Sequence, residues 1–175
     1  HASAVADFDK AMRQRNRLLE ENADPVWMGA VEQSMAEAAA AIHFARIDCI
    51  THLEDLIAAS AEGDFPAAHV ALTPLFPDGA QPQTASGLEA AFRDRWATFR
   101  GQDRAAGRTL IGPHRADFEV RYAQKDVPAA LGSTGEQKAL LIGLVLAHAR
   151  LVAKMTAITP FLLLDEIAAH LDPGR

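Results

Sequence analysis

The stretch that decides the fold lies near the end of the chain: Gly132-Ser133-Thr134-Gly135-Glu136-Gln137, a long apolar run, then Phe161-Leu162-Leu163-Leu164-Asp165-Glu166. The first string is a small polar turn that opens a helix, and backbone N–H groups at a helix start can bind phosphate. The second string predicts a buried strand that ends in two adjacent acids. Because a strand-end aspartate can hold a metal ion and a second acid can orient water, this order indicates a nucleotide-hydrolysing site.

One part of such a site is absent from the sequence. No G-x-x-x-x-G-K-[ST] string occurs, and no glycine is followed directly by lysine. That string normally forms the loop whose amides and lysine hold the β- and γ-phosphates. The sequence therefore indicates part of an ATPase without its main phosphate loop.

Composition limits the class of protein. The chain has 175 residues, a formal net charge of -6 and a single cysteine, Cys49. The acidic balance argues against general, charge-driven binding to nucleic acid, and one cysteine allows no internal disulfide. A reducing, cytoplasmic location fits this usage. No run of eighteen uninterrupted apolar residues occurs, so we expect no membrane span.

Periodicity predicts a mostly helical α/β chain. Apolar residues at steps of three or four indicate two helices before residue 61, broken at Asn22 to Pro25, and Ser86 is the predicted N-cap of a third. We expect Cys49 to be a core residue on the second helix. The remaining predicted elements are strands at Thr109–Gly112, Phe118–Tyr122 and Phe161–Leu164 and a helix at Gly135–Lys154. The boundary between a helical lobe and an α/β lobe is predicted near residue 108.

Each half of the candidate site also has a purely structural interpretation. Asp165 and Glu166 can simply begin an acidic helix, where carboxylates favour the helix dipole. Ser133 or Thr134 can be an ordinary N-cap assisted by Glu136. The catalytic interpretation depends on the combination of turn, long helix, apolar strand, acid pair and a following Leu171-Asp172 in one order.

That combination resembles the signature, Walker B and D-loop series of the ABC-type ATPases. Ser133 to Glu136 resembles the signature motif in the acidic form of SMC-like repair ATPases, Phe161 to Glu166 resembles Walker B, and Ala169 to Asp172 resembles the D-loop. The resemblance implies a helical lobe inserted into an incomplete ABC-type ATPase head of the P-loop NTPase fold. Residues 1–108 would form the helical lobe and residues 109–175 the partial head.

Two further strings resemble the RecF family of bacterial recombination mediators. Gly112-Pro113-His114-Arg115 is similar to its G-P-H-R-D-D segment, and Gln14-Arg15-Asn16 followed by Leu18-Leu19 is similar to its Q-R-N-x-L-L segment. The chain departs from the family pattern at Ala116, Glu166 and His170, and Thr134 and Glu136 vary the middle of the signature. The family resemblance extends from residue 14 to residue 175.

The resemblance implies ATP and Mg²⁺ as cofactors and assigns the site residues. Ser133, Thr134, Gly135 and Glu136 would bind nucleotide, with the first three acting in trans on the γ-phosphate of a partner head. Asp165 would hold Mg²⁺, Glu166 would be the catalytic base, and Asp172 would lie at the dimer seam. A chain without the phosphate loop would not hydrolyse ATP by itself.

A basic segment suggests contact with DNA. Between Arg93 and Lys125 there are eight basic and four acidic side chains, and Arg13, Arg15 and Arg17 form a second group. Such residues can track a phosphate backbone, although arginine-rich helix faces are more often only solvated. The candidate DNA contacts are Arg93, Arg95, Arg104, Arg108 and Arg115.

The implied partners follow from the same family. They are single- and double-stranded DNA at gap junctions, RecR and RecO, and a second ATP-bound head, with roles in recombinase loading, replication restart and the SOS response. Two alternatives remain open: a non-enzymatic helical interaction domain, and a different SMC-like repair ATPase. A long heptad repeat would favour the second, and none is visible in the sequence.

Overall fold

The computed structural model describes residues 2–59, 66–76, 78–79 and 81–163. The described chain is mostly helical with one small sheet. Its helices are α1 (Ala2–Glu20), α2 (Pro25–Ala58), α3 (Ala85–Ala106) and α4 (Thr134–Thr156), and its strands are β1 (Ala68–Leu72), β2 (Phe118–Tyr122) and β3 (Val127–Pro128). The four predicted helices and the strand at Phe118–Tyr122 are thereby confirmed.

Local chemistry accounts for the helix boundaries. Asp24 accepts a hydrogen bond from Val26 N at 2.7 Å through its Oδ1, and Pro25 takes the first helical position of α2. Gly107 ends α3 in the left-handed conformation, with φ 65°. The predicted N-cap of α3 at Ser86 is wrong, because Thr84 caps the helix by accepting from Gly87 N.

Two compact units divide the chain. The first comprises residues 1–47 and 73–117, and the second comprises residues 48–72 and 118–175. These units are defined by contacts within the chain, whereas the boundary predicted near residue 108 divides a helical lobe from an α/β lobe by sequence pattern. That boundary stays a prediction.

The core of the first unit is built on aromatic rings. Phe92 stacks on Trp96 with centroids 5.0 Å apart, and Phe76 meets Phe92 edge-on at the same distance. Aromatic pairs in these arrangements add to the apolar area that they bury. The buried cluster around them includes Phe8, Met35, Ile42, Leu88 and Ile111.

The core of the second unit lies against its sheet. The three strands are antiparallel in the order β1-β2-β3, with Val70 opposite Val120. Apolar side chains from α2, β1 and α4 bury one another, and they are Leu53, Ile57, Val70, Leu140, Ala147 and Leu151. This packing places the start of α4 in the same compact unit as the β2–β3 turn.

Two predicted strands are not found among the described residues. Residues 109–112 form no strand because side chains bind their backbone: Asp103 Oδ1 accepts from Leu110 N at 2.9 Å, and Trp96 Nε1 donates to Ile111 O at 2.8 Å. Residues 161–163 are also irregular, with Phe161 and Leu163 almost fully exposed. A lone apolar segment does not become a strand without a neighbour to pair with. Leu164 lies outside the described residues.

Two composition-based expectations can be compared with the structure, and the one about Cys49 is wrong. Cys49 is exposed on α2 and is not a core residue. By length and mean hydropathy, 1.6 over its most apolar window, α4 alone among the described helices is compatible with a membrane span. The core helix of a water-soluble protein can have the same composition.

Candidate nucleotide site

The signature turn, Gly132 to Glu136, is a reciprocal cap at the start of α4. Ser133 is the N-cap, and its Oγ accepts from Glu136 N at 3.3 Å. Glu136 Oε2 accepts in return from Ser133 N at 2.8 Å. This capping box fixes the turn by two reciprocal hydrogen bonds between the same two residues. The structural interpretation of Ser133 and Glu136 as a helix cap is therefore confirmed.

Glu136 is also paired with a cation. Lys125, in the turn between β2 and β3, donates from Nζ to Glu136 Oε1 at 2.5 Å. This bond, together with the hydrogen bonds from Ser133, lowers the pKa of Glu136 to about 2. The carboxylate is thus ionised throughout the neutral range, with both oxygens engaged.

The cap leaves part of the turn open. The amides of Thr134 and Gly135 occupy the first two helical positions, which an α-helix leaves without intrahelical partners, and both residues are exposed. A Cβ placed on Gly135 would meet no atom within 4 Å. Ser133 uses an oxygen lone pair in the cap, and its hydroxyl lies on an exposed residue next to these amides. The turn therefore fits the phosphate part of a nucleotide.

An apolar hollow lies beside the turn. It has a volume of about 390 Å³ and is lined by the aliphatic parts of β2 and α4, including Val120, Leu140, Leu141 and Leu144. Leu141 is 60% exposed although it belongs to α4, a helix long and apolar enough to cross a membrane by length and composition. Exposed apolar surface next to polar residues is typical of an interaction surface.

The acidic half of the predicted site lies outside the described residues. Asp165, Glu166 and Asp172 all fall in the segment 164–175. Within the described ranges, no group of three histidine, cysteine or acidic side chains is arranged to hold a metal ion. The predicted Mg²⁺ ligand Asp165 and catalytic base Glu166 stay predictions.

The five arginines predicted to contact DNA fall into two groups. Arg95 is held by Asp78 and stacks over Phe76 at 3.8 Å, and Arg104 Nε donates to Leu19 O at 2.8 Å. The other three residues are exposed, and they are Arg93, Arg108 and Arg115. A guanidinium already engaged within the protein has fewer donors for a phosphate. DNA contact by any of the five stays a prediction.

Arg15 occupies a place that the sequence analysis missed. Its side chain is fully buried, with Nε on Glu32 at 3.0 Å and Nη1 on Asp103 at 2.7 Å. It also donates to Thr109 Oγ1 at 2.9 Å and to the Trp96 carbonyl at 3.0 Å. Arg15 therefore cannot contact a DNA backbone in this conformation. Its position three residues before Leu18, on the apolar stripe of α1, was the available signal.

The string from Gly112 to Arg115 forms a loop in the first unit, and specific contacts fix its conformation. Arg46 Nη1 donates to Pro113 O at 2.6 Å, and His114 Nε2 lies 3.1 Å from Thr109 O. Gly112 has φ 153°, and an added Cβ would lie 3.0 Å from the His114 ring. The loop is thus ordered by specific contacts, while Arg115 remains exposed at its end.

Comparison with known proteins identifies close relatives. The chain is 50% identical over 177 aligned residues to the DNA replication and repair protein RecF of Brucella abortus (strain 2308), covering 100% of this chain and 46% of that protein. It is 51% identical to RecF of Allorhizobium ampelinum, covering 47% of that protein. The chain thus spans about half the length of the curated relatives it matches. No protein-family model matches the chain.

Solved structures show the same fold. The described chain is similar to a structure of the recombination mediator protein RecF with ATP, of the RecFOR pathway, with a TM-score of 0.82 and 20% identity. The match covers 98% of this chain and 47% of that one. A second RecF structure of the same pathway, with ATPγS, gives a TM-score of 0.79 over 97% of this chain. The predicted mostly helical fold is confirmed, and it corresponds to 47% of the RecF chain solved with ATP.

Proposed function

Because the chain belongs to the RecF family of DNA replication and repair proteins, we propose that it contributes the trans half of an ATP site in a protein that binds DNA at single-strand gaps. The proposed cellular role is recombinase loading, replication restart and support of the SOS response, in the cytoplasm. The 175 residues match about half of each relative. The whole activity therefore belongs to a protein of that greater length.

One observation carries the proposal: the signature turn is fixed by its capping box and still leaves two backbone amides exposed. Ser133 and Glu136 fix the turn, while the amides of Thr134 and Gly135 stay exposed. Glycine inside a helix lowers stability by about 0.5–1 kcal/mol relative to alanine. At position 135 an added Cβ would meet no atom of the described chain within 4 Å, so packing does not require a glycine there. Close approach of a ligand or second chain supplies a reason for the glycine.

In this proposal Ser133, Thr134 and Gly135 bind and orient the γ-phosphate of ATP. Bound ATP would supply the phosphate charge that joins two heads. The Ser133 hydroxyl and the amides of Thr134 and Gly135 would donate to γ-phosphate oxygens of the nucleotide held by the opposite head. Asp172 is the proposed residue of the dimer seam, and dimerisation would follow from occupancy of the two sites.

The cis half is assigned to the acid pair. Asp165 would hold Mg²⁺, and Glu166 would take the proton of the attacking water. The sequence contains no phosphate-loop lysine, so we expect no ATP turnover from the 175-residue chain alone. Turnover that disappears in Glu166→Gln would contradict this expectation.

DNA contact is proposed for the arginines that remain free to reach a phosphate. Arg93, Arg108 and Arg115 are exposed, whereas Arg95 and Arg104 are engaged within the protein. Replacing one of the first three should weaken binding to all DNA sequences alike and reduce its salt dependence. RecR and RecO are the proposed protein partners, supported by the pathway named for the similar structures.

The test uses a full-length RecF that carries this segment. Ser133→Arg should leave ATP binding within about twofold of wild type and abolish ATP-driven dimerisation, because a large cation blocks the open turn. A fluorescent nucleotide measures binding, and light scattering measures mass with and without ATP. Ser86→Arg is the matched control, since Ser86 is an exposed serine in the first turn of α3.

The two variants separate the proposal from its alternatives. Ser86→Arg should dimerise like wild type. Normal dimerisation of Ser133→Arg would exclude the trans role. Loss of nucleotide binding in Ser133→Arg would place the signature turn in the cis site.

A further inference from the structure

The signature turn contains a negative charge where a polyanion is proposed to bind. Glu136 Oε2 lies 2.8 Å from Ser133 N, so its carboxylate is fixed beside the amides of the turn. Like charges a few ångströms apart repel one another, and the repulsion is larger near a protein surface than in bulk water. The capping acid therefore opposes phosphate binding unless its charge is offset.

Lys125 supplies the offsetting charge. Its Nζ contacts the second oxygen of Glu136 at 2.5 Å and lies 5.5 Å from the centre of the Tyr122 ring. The neighbouring acid Asp126 does not compete for Lys125, because Arg121 Nη2 contacts Asp126 Oδ1 at 2.9 Å. The two ion pairs are thus separate, and Lys125 is matched to Glu136.

We propose that Lys125 is a further residue of the trans nucleotide site and that it acts by neutralising Glu136, so that the turn can be capped by an acid and still accept the γ-phosphate. This inference rests on the proposed function. Lys125 is a positioning residue in this role, since its partner is the capping carboxylate.

Charge, rather than folding stability, is the means by which Lys125 acts. The side chain of Lys125 is 54% exposed, and exposed ion pairs contribute little to stability. The capping box also holds through Ser133 and Glu136 alone, which donate to and accept from each other. Loss of Lys125 should therefore leave α4 folded and leave an unbalanced acid in the turn.

The experiment is a double-mutant cycle in a full-length RecF carrying this segment. We expect Lys125→Met to weaken ATP-driven dimerisation about three- to tenfold at low salt, and less at high salt because exposed charges are screened. Adding Glu136→Gln should restore dimerisation to within about twofold of wild type, because glutamine removes the charge and can still cap through its amide oxygen. Lys125→Arg should behave like wild type.

Each outcome decides between explanations. Wild-type dimerisation of Lys125→Met would overturn the inference and leave the proposed function intact. A double variant as weak as Lys125→Met would also overturn it, since Lys125 would then act on the phosphate itself. Failure of the wild type to dimerise with ATP would instead overturn the proposed function.

A second measurement uses the 175-residue chain without nucleotide. Carboxyl NMR signals report the titration of Glu136 directly, and its midpoint should move upward from about 2 in Lys125→Met. An unchanged midpoint would show that Lys125 does not neutralise the acid, whatever the dimerisation data give.

Discussion

The two compact units use charge in opposite ways. The first unit buries Arg15, Glu32 and Asp103 together, and each of these side chains is at most 3% exposed. The second unit places its Lys125–Glu136 pair at the surface, beside open amides. Buried ion pairs determine which packing is possible, whereas exposed ones cost little to rearrange. The first unit therefore pairs its charges inside its own core, whereas the second leaves a charged pair and open amides at its surface.

The apolar side chains of the two units differ less, because the first unit also exposes Val26 and Trp27. The first unit closes Phe8, Phe92 and Trp96 inside its core, all at most 2% exposed. The second unit leaves Leu141 and Met155 of α4 mostly exposed. The comparison leads to four predictions, given from the largest expected effect to the smallest.

Breaking the buried ion network should have the largest effect. Arg15→Met leaves Asp103 buried without its cation and leaves Glu32 paired with Arg100 alone, so we expect a loss of about 3–5 kcal/mol in the free energy of unfolding. Trp96 fluorescence during urea unfolding, in a Trp27→Phe background, measures it. The control is Arg17→Met, an exposed site on the same helix, which should change stability by about 0.5 kcal/mol or less. Equal effects of the two variants would mean that the network is not what holds the first unit.

The buried histidine of α2 should respond to pH. His43 Nδ1 has no hydrogen-bond partner among the described residues, and burial, followed by the charge of Arg46, lowers the pKa of His43. The His43 imidazole therefore binds a proton more readily in the unfolded chain than in the folded one. As a result, the free energy of unfolding falls as the pH drops below about 6.5. His43→Leu should stabilise the first unit by about 1–3 kcal/mol and reduce this pH dependence.

Urea unfolding at pH 8 and pH 5.5 provides the measurement for His43. The remaining pH dependence should come in part from His114, whose pKa is lowered by desolvation. His52→Leu is the control, since His52 is exposed on the same helix. An undiminished pH dependence in His43→Leu would assign the effect to another group.

Removing the cap should have a moderate effect in either unit. Ser133→Ala should destabilise α4 by about 1 kcal/mol, because Glu136 N loses its acceptor. Thr84→Ala removes the equivalent cap of α3 and should cost a similar amount. Amide hydrogen exchange of the first turn of each helix measures both. A stable first turn in Ser133→Ala would contradict the capping geometry.

Replacing one glycine should stabilise the second unit slightly. Gly135→Ala should add about 0.5–1 kcal/mol, since alanine favours the helix and an added Cβ meets nothing within 4 Å. Hydrogen exchange of α4 measures the gain, and in full-length RecF the same change should weaken ATP-driven dimerisation. Gly112→Ala is the contrasting control and should destabilise, because its φ of 153° and the His114 ring disfavour a side chain. A destabilised Gly135→Ala would mean that the turn is not open.

Local patterns predicted the helices and the cap of α4, although the N-cap of α3 was placed at Ser86 instead of Thr84. An N-cap at Ser133 or Thr134 assisted by Glu136 was predicted, and Ser133 is that cap, because caps depend on residues three or four positions apart. Residues 109–112 were predicted as a strand and are not one. Their backbone partners are Asp103 and Trp96, side chains that only the packing of α3 brings close.

The sequence by itself determined the family, the helices and the candidate signature turn, since all three depend on residue identity and short spacing. The tertiary structure alone decided which charges are buried and which are free. Arg15 and Arg115 are the same residue type in recognisable strings, yet one lies inside a network of acids and the other is exposed. Burial depends on which helices pack together, and the spacing of neighbouring residues does not show which distant residues a side chain will contact.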